Sequence, residues 1–248
     1  MNEILQSLYN RKSVRAYADR PIEPEVKQAI LDAAIQAPSA GNMALYTILD
    51  ITDPALKERL SVTCDNQPFI AKAPLVLIFC ADYRRWYDAF CDAVATVRKP
   101  AVGDFMLATA DAIIAAQNAV VAAESLGVGS CYIGDITENF EIHRELLNLP
   151  QYVVPAAMLV FGYPTEQQQS RVKPARFSTA DLVCENGYHT AGAQKMGEML
   201  MAREQKSPEE YAEWIQRFCN RKWNSEFSEE MSRSCRVMIE DWCQEKID

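Results

Sequence analysis

The hydrophobic and polar positions are patterned most clearly in Asp104–Leu126, DFMLATADAIIAAQNAVVAAESL. This segment contains no Pro or Gly, is rich in Ala and is followed by Gly127, so it predicts one long helix that ends at the glycine. Apolar residues cover most of its circumference, which favours a buried position. A narrow polar seam recurs every seven residues and consists of Asp104, Asp111, Asn118 and Ser125.

The composition of this helix argues against a membrane span, because it would carry two Asp, one Gln, one Asn and one Glu. Small residues at helical spacing would let another helix approach closely; they are Ala108, Ala112, Ala115, Ala119 and Ala122. Two interpretations fit this row of small residues. The helix is the central core helix of a monomer, or it is a core helix that also meets its own copy in a dimer.

The rest of the pattern alternates helices with β-rich segments. The predicted helices are 2–10, 21–37, 53–63, 137–149 and most of the last seventy residues. The predicted strands are 45–51, 74–81, a short segment between Gly127 and Gly134, and 152–162. The segment 74–81 is a short continuous apolar run, which predicts a central strand buried on both faces. By itself, this alternation suggests an α/β fold.

Composition and charge exclude several classes of protein. Half of the 248 residues are hydrophobic, which allows a sizeable core. The net charge of −9 argues against nucleic acid or an anionic membrane as a partner. The N-terminus lacks the basic and apolar regions of a signal peptide, so we expect a cytoplasmic location.

The cysteines and histidines do not form a recognisable metal site. None of the eight cysteines has CxxC spacing, and the only histidines are His143 and His189. We therefore expect no zinc site, free thiols, and histidines at surface or capping positions rather than in catalysis.

The first candidate for binding chemistry is Arg11-Lys12-Ser13-Val14-Arg15. If this segment is extended, Arg11, Ser13 and Arg15 share one face. Two guanidiniums and a hydroxyl on one side suit a phosphate group, because the arginine fork donates paired hydrogen bonds to anionic oxygens. A solvated basic loop is the alternative.

No conventional catalytic set accompanies this segment. The chain contains no GxSxG, Walker loop or HExxH motif, so we predict no catalytic side chain and expect a cofactor to carry the chemistry. Two further groups of cations are the pair Lys173 and Arg176 and the cluster Arg217, Arg221 and Lys222.

The candidate segments together resemble a known family, the FMN-dependent nitroreductases. Residues 11–15 look like its R-x-S-x-R phosphate-binding box, and Pro38-Ser39-Ala40-Gly41-Asn42 is similar to its Pro-Ser-x-x-Asn turn. Other similar segments follow in the family's order: Asn66-Gln67, 116–118, 122–127, Tyr132-Ile133-Gly134, 162–164 and 173–176. Residues 221–224 and 231–234 look like the NADPH-type branch, which includes flavin reductases, so the resemblance covers almost the whole chain.

The resemblance implies an α+β fold rather than α/β. The expected architecture is a mostly antiparallel central sheet wrapped by helices, in an intertwined homodimer with two FMN sites at the interface. We expect an FMN-binding core over residues 1–190. Residues 191–248 would form a helical extension that packs on the core or on the partner subunit.

The resemblance also implies the residues of the cofactor site. The box would hold the FMN phosphate and ribityl chain, Gln67 would contact the ring, and residues 132–134 would lie along it. Ser39 and Asn42 would come from the other subunit. The full set of expected FMN-binding residues is Arg11, Lys12, Ser13, Arg15, Ser39, Asn42, Gln67, Tyr132, Ile133, Gly134, Asp135, Lys173 and Arg176.

Two departures from the family pattern affect this site. Ala175 is inserted in the usual Lys-Pro-Arg sequence, which leaves open whether Lys173 or Arg176 reaches the phosphate. Asp135 stands where many relatives have a second glycine. Since its negative charge would oppose reduced flavin, we expect Asp135 to point away from the site.

The implied activity is ping-pong oxidoreduction through FMN, from NADPH or NADH to a nitroaromatic compound, a quinone or free flavin. Arg217, Arg221 and Lys222 are candidates for binding the 2′-phosphate of NADPH, with surface salt bridges as the alternative. Two other functions remain open. One is a flavin-binding redox sensor with little turnover that uses thiols such as Cys131. The other is flavin fragmentation or dehalogenation on the same fold.

Overall fold

The computed structural model describes residues 1–244, and this range contains eleven α-helices and four strands. The helices are α1 (Glu3–Asn10), α2 (Pro24–Ile35), α3 (Pro54–Thr63), α4 (Arg84–Ala93), α5 (Val102–Ser125), α6 (Phe140–Leu146), α7 (Glu166–Ser170), α8 (Thr179–Leu182), α9 (Gly192–Glu204), α10 (Pro208–Lys222) and α11 (Glu226–Cys243). The strands are β1 (Tyr46–Asp50), β2 (Leu75–Asp82), β3 (Gly129–Ile133) and β4 (Val153–Gly162).

The four strands form one sheet in the order β1-β2-β4-β3, and every neighbouring pair is antiparallel. This confirms the α+β fold with an antiparallel sheet. The α/β fold suggested by the alternation is wrong, because alternation does not fix the direction in which a strand joins the sheet. Strand β4 lies between β2 and β3, although β3 precedes it in the chain.

Strand β2 is buried along its whole length, as its continuous apolar run predicts. Leu75, Leu77 and Phe79 belong to the core on one side of the sheet, which also contains the alanines of α5. Val76 and Ile78 belong to the core on the other side. The sheet is therefore covered on both faces at its centre.

Helix α5 is the central core helix and packs against α2 and β2. Four of the five alanines in its predicted small-residue row are buried, and Ala122 is half-buried. By length and composition α5 is apolar enough to cross a membrane. However, Asp104 and Asp111 are buried and hydrogen-bonded within the protein, as in a core helix.

Contacts divide the chain into two units. The first runs from Met1 to Arg171 and includes the segment that begins at Glu230, and the second is Val172–Glu229. In the first unit, Met238 and Trp242 of α11 are buried, and Trp242 meets Phe105 edge-on at 5.4 Å between ring centroids. The predicted division at residue 190 stays a prediction. Residues 245–248 of the predicted extension lie outside the described range.

Candidate functional site

The segment 11–15 is extended and lies beside β3. Ser13 forms a parallel bridge with Ser130, and the amide of Val14 donates to the Ser130 carbonyl at 3.0 Å. The Val14 side chain is 4% exposed and points into the protein. Since neighbouring side chains of an extended segment point to opposite sides, the alternate residues Ser13 and Arg15 lie on the other side from Val14.

Arg11, Ser13 and Arg15 all affect the pKa of the Cys131 thiol. Burial raises the pKa of Cys131, whereas the charge of Arg15, hydrogen bonds with Ser13 and Arg15, and the charge of Arg11 lower it. Arg11 and Arg15 take part in none of the ion pairs within residues 1–244. Neither guanidinium therefore has a carboxylate oxygen within 4.0 Å. We call Arg11, Ser13 and Arg15 together the phosphate cradle. Its uncompensated positive charge suits a phosphate ligand.

Two aromatic residues accompany the phosphate cradle. The Arg15 guanidinium lies 5.8 Å from the centroid of the Phe69 ring, which is within the range of a cation–π contact. The buried hydroxyl of Tyr17 has no hydrogen-bond partner among the described residues. Burial raises the pKa of Tyr17, and Cys131 raises it further. This neutral hydroxyl is an unused donor close to the cradle.

Lys12 has a different position from its neighbours. Its ammonium donates to the carbonyls of Gln169 and Arg171, each at 2.5 Å. The side-chain oxygen of Gln168 in α7 accepts the backbone amide of Arg15 at 3.1 Å. The segment around α7 is therefore fastened to residues 12 and 15. The role of Lys12 at the FMN phosphate stays a prediction.

The predicted ring-contacting residues form a second group. Gln67 Nε2 donates to the Cys64 carbonyl at 2.8 Å and to Asp135 Oδ2 at 2.9 Å. The Asp135 carboxylate is thus held against Gln67, and its orientation relative to the FMN ring stays a prediction. Asp135 is the second residue of the short 3₁₀ turn Gly134–Thr137, and its side chain reaches Gln67, which follows α3.

Residues 132 and 133 take opposite sides of β3. Tyr132 is 38% exposed, whereas Ile133 is 2% exposed and belongs to the core. The Tyr132 hydroxyl lies 3.3 Å from Gln117 Oε1 of α5, to which it donates. Burial raises the pKa of Tyr132 to about 12, so this hydroxyl stays neutral at physiological pH. The exposed ring and the exposed backbone at Gly134 form an accessible edge at the end of β3.

Sequence reasoning missed a buried polar cluster behind Gln67. His143 is fully buried, which corrects the expectation of a surface or capping histidine. Its Nδ1 lies 3.0 Å from the Ile136 carbonyl and its Nε2 lies 2.8 Å from the Thr63 hydroxyl. Burial lowers the pKa of His143, and burial raises the pKa of Cys64, whose sulfur is 3.9 Å from Nε2. Both groups are therefore neutral and structural.

The same cluster contains Glu138, which is 5% exposed and whose Oε1 has no hydrogen-bond partner among the described residues. Burial, together with the charges of Asp135, Asp65 and Glu230, raises the pKa of Glu138 to about 7. A carboxyl group in such surroundings holds its proton up to near-neutral pH.

We expect Glu138→Gln to stabilise the protein increasingly as the pH rises. The folded-state pKa lies above the ordinary value of 4.5, so the stability contributed by protonated Glu138 is full below that value and is lost as the pH approaches 7. The advantage of the variant should grow by ~1–3 kcal/mol between about pH 5 and pH 7.5 and then level off. Urea unfolding across this range measures it, with the exposed Glu58→Gln as control. Parallel pH profiles for wild type and Glu138→Gln would contradict this reading.

The turn with Ser39 and Asn42 is held by α5. Asp111 accepts the amides of Ala40 at 2.9 Å and Leu45 at 3.2 Å, and Ser39 Oγ accepts the amide of Ala44 at 3.0 Å. The φ angle of Asn42 is +56°, a left-handed conformation that Asn tolerates better than most residues. Among residues 1–244, no hydrogen bond joins this turn to the segment 11–15. The contribution of Ser39 and Asn42 to the FMN site of the other subunit stays a prediction.

We expect Asp111→Asn to destabilise the protein by ~1–3 kcal/mol, because one amide oxygen cannot replace two carboxylate oxygens and a buried N–H loses its acceptor. Thermal unfolding of the variant measures this loss. The control is Asp92→Asn, which changes an exposed residue at the end of α4. An unfolding temperature equal to that of wild type would show that Asp111 does not support the turn.

The remaining predicted residues lie in the second unit. Arg176 donates to the Pro174 carbonyl at 3.0 Å, and Lys173 is half-buried. On α10, Arg217 lies 3.6 Å from Glu213 in an exposed ion pair, as the salt-bridge alternative proposes. The guanidinium of Arg221 is 5.7 Å from the Phe218 ring, and the Lys222 ammonium is 5.6 Å from the Phe227 ring.

Aromatic residues of α10 form a surface that the sequence did not predict. The rings of Trp214 and Phe218 stack at 5.0 Å between centroids with an angle of 26°. Together with Arg217 and Arg221 they line a hollow of about 370 Å³. The spacing of 214 and 218, one helical turn apart, was the available signal.

The chain is similar to known proteins in both sequence and fold. The sequence model described as the nitroreductase family matches residues 8–163. An FMN reductase [NAD(P)H] of Bacillus subtilis strain 168 is 36% identical over 173 residues, which are 69% of this chain and 70% of that protein. An oxygen-insensitive NADPH nitroreductase of Salmonella typhimurium strain LT2 is 31% identical over 211 residues, 85% of this chain and 83% of that protein. The solved structure of the NADPH:FMN oxidoreductase of Vibrio harveyi complexed with NAD⁺ has a TM-score of 0.81 and 26% identity, and the match covers 96% and 98% of the two chains.

The fold and the site define an α+β protein with an antiparallel sheet and an arginine-rich phosphate cradle beside one edge strand. The family match covers more than half of the chain and includes the cradle, Gln67 and Asp135. This protein belongs to the nitroreductase family, and its relatives include proteins of the NADPH-type branch.

Proposed function

We propose that this chain is a cytoplasmic, FMN-dependent NAD(P)H oxidoreductase. The observation that carries the proposal is the phosphate cradle: Arg11, Ser13 and Arg15 alternate along an extended segment that lies beside β3 at Ser130, and no ion pair among the described residues includes Arg11 or Arg15. Names of relatives support the choice of FMN and of a nicotinamide donor, since they include FMN reductase [NAD(P)H] and NADPH nitroreductase.

The residues present fit FMN. The cradle would hold its phosphate through charge-assisted hydrogen bonds, and the unpartnered Tyr17 hydroxyl offers one more donor. Gln67, Tyr132 and the backbone at Gly134 would border the ring. When bound, FMN supplies two-electron chemistry by accepting a hydride equivalent from NAD(P)H and passing two electrons to an acceptor.

The protein's own part in this reaction is positioning rather than acid–base catalysis. The cradle and α7 would hold the phosphate end, and the ring edge would face Tyr132, whose hydroxyl stays neutral because burial raises its pKa. Protons would come from solvent at the accessible edge beside Tyr132. This arrangement explains why no nucleophile or general base is required.

For the electron donor, we propose that Arg217, Arg221 and Lys222 bind the 2′-phosphate of NADPH. The stacked rings of Trp214 and Phe218 add flat apolar surface beside two guanidiniums. The acceptor would be a nitroaromatic compound, a quinone or free flavin. Either Lys173 or Arg176 would close over the FMN phosphate.

We further propose that the protein acts as an intertwined homodimer in which Ser39 and Asn42 complete the partner's FMN site. The support is an exposed apolar face of α5, whose large side chains are Val102, Met106, Leu107, Ile113 and Ile114. Ile4 and Leu5 of α1 are exposed as well. Exposed apolar area of this kind commonly marks a protein interface.

A redox-sensing thiol receives less support from the site. Cys131 is 1% exposed, and burial raises its pKa, so the reactive thiolate is suppressed. Steady-state kinetics with NADPH and a quinone test the proposal: a ping-pong enzyme gives parallel double-reciprocal lines as the acceptor varies. Bound FMN without turnover, with either NADPH or NADH and with each acceptor class, would refute it in favour of a flavin binder.

A further inference from the structure

We infer that Asp135 is a positioning residue: it fixes the amide of Gln67 so that the oxygen faces the ligand, and it places a negative charge directly behind that contact. This inference rests on the proposed function, because the ligand concerned is the ring of FMN. It concerns the preference of the site for oxidised over reduced flavin.

The orientation of the Gln67 amide follows from its two partners. The Cys64 carbonyl at 2.8 Å and Asp135 Oδ2 at 2.9 Å are both acceptors only, so the group between them must be the nitrogen. The two N–H groups are thereby used. Among residues 1–244, Gln67 Oε1 receives no hydrogen bond, so the oxygen is the atom left for a ligand.

The backbone around Gln67 makes this arrangement rigid. The Gln67 amide donates to the Ser61 carbonyl at 2.8 Å, and the Gln67 carbonyl accepts the amide of Ile70 at 3.0 Å. On the other side, the Asp135 carbonyl accepts the Glu138 amide at 3.1 Å. Both residues are thus anchored by their main chains, and the side-chain bond between them joins the end of α3 to the end of β3.

An acceptor at this position selects for a donor on the ligand. A planar heterocycle with an imide N–H, such as the isoalloxazine ring, would give that hydrogen to Gln67 Oε1. An amide polarised by a carboxylate is a better acceptor, since hydrogen bonds in a chain strengthen one another. Asp135 therefore favours the neutral ring through Gln67.

The charge of Asp135 also favours oxidised over reduced flavin. A carboxylate close to the ring disfavours the additional negative charge of reduced flavin. Other charged groups around the cluster are Asp65 at the end of α3, Glu138 after the 3₁₀ turn, and Glu230 of α11, which pairs with Arg233. Of these acids, only Asp135 has a hydrogen bond to Gln67 within the described residues.

The test is the two-electron reduction potential of bound FMN in Asp135→Asn, measured by dye equilibration in the holoprotein. We expect the variant to favour reduced over oxidised flavin at least tenfold more than wild type, a rise of ~30 mV. The control is Asp65→Asn, which removes an exposed charge of the same cluster and keeps a residue suited to its φ of +61°. Its shift should be less than threefold, because exposed charges are screened.

A second variant, Asp135→Ser, is measured in case Asp135→Asn does not fold. It should shift the reduction potential of FMN in the same direction. An unchanged potential in a folded, FMN-loaded Asp135 variant would overturn the inference. Equal shifts in Asp135→Asn and Asp65→Asn would also overturn it, since cluster charge alone would then explain the effect. If wild type takes up no FMN, the proposed function itself fails, and this result is distinct from the other two.

Discussion

Replacing Gly129 by alanine is expected to cost ~1–3 kcal/mol of stability and most of the affinity for FMN. A Cβ at this position would lie 2.8 Å from Val14 Cβ and closer still to Val14 Cγ2. Neither atom is the end of a flexible side chain, because Val14 is buried and β-branched. The segment 11–15 would have to move away from β3.

That displacement links the core directly to the site. The amide of Val14 and the bridge at Ser13 hold the cradle on Ser130, so the guanidiniums would lose their common position. Thermal unfolding and fluorescence titration with FMN measure the two effects. Gly103→Ala is the matched control, because its Cβ would meet no atom within 4 Å. A Gly129→Ala protein with the stability and FMN affinity of wild type would refute the close packing of Val14.

Replacing Arg15 by alanine is expected to weaken FMN binding by ~1.5–3 kcal/mol, or about tenfold to a hundredfold. The variant loses a charge-assisted hydrogen bond to phosphate and the cation–π contact with Phe69. Stability should change little, since the Arg15 side chain is exposed and its backbone contact with Gln168 remains. Higher salt should reduce the difference between wild type and variant.

The control for Arg15 is Arg59→Ala, which removes an equal charge from the exposed face of α3. Its FMN affinity should match that of wild type within about twofold, because the surface field alone contributes little at physiological ionic strength. Full FMN occupancy of Arg15→Ala at low FMN concentration would remove Arg15 from the phosphate site.

The local elements could be predicted from the sequence because their signals are short-range. Asp53 caps α3 through the amide of Ala55, and Pro54 begins the helix, as that pair of residues predicts. Strand β4 continues past Pro155 because a register shift opposite Phe79 and Cys80 accommodates it. Helix α4 was not predicted, although Trp86 and Phe90 have helical spacing.

The contacts of the site could be predicted only where they lie within one segment. The period-two pattern of Arg11, Ser13 and Arg15 is such a case, and the structure keeps this segment extended beside β3. Gln67 and Asp135 are 68 residues apart, and Cys64 and His143 are 79 residues apart. Such pairs depend on how the sheet assembles, which neither residue signals on its own.

The burial of charged groups could not be predicted for the same reason. Glu138 follows an ordinary polar turn in the sequence, yet the packing around it leaves the side chain buried and one oxygen unpartnered. The polar seam of α5, in contrast, could be predicted from the sequence. Its period of seven predicted one face, and Asp111 and Asn118 on that face bind the backbone of neighbouring segments.

The central claim is that this protein holds a flavin that a nicotinamide donor reduces. The most direct test is the visible absorption spectrum of the purified protein before and after anaerobic addition of NADPH. We predict a flavin spectrum that bleaches on addition. Absence of flavin, with none taken up from added FMN, would contradict the claim.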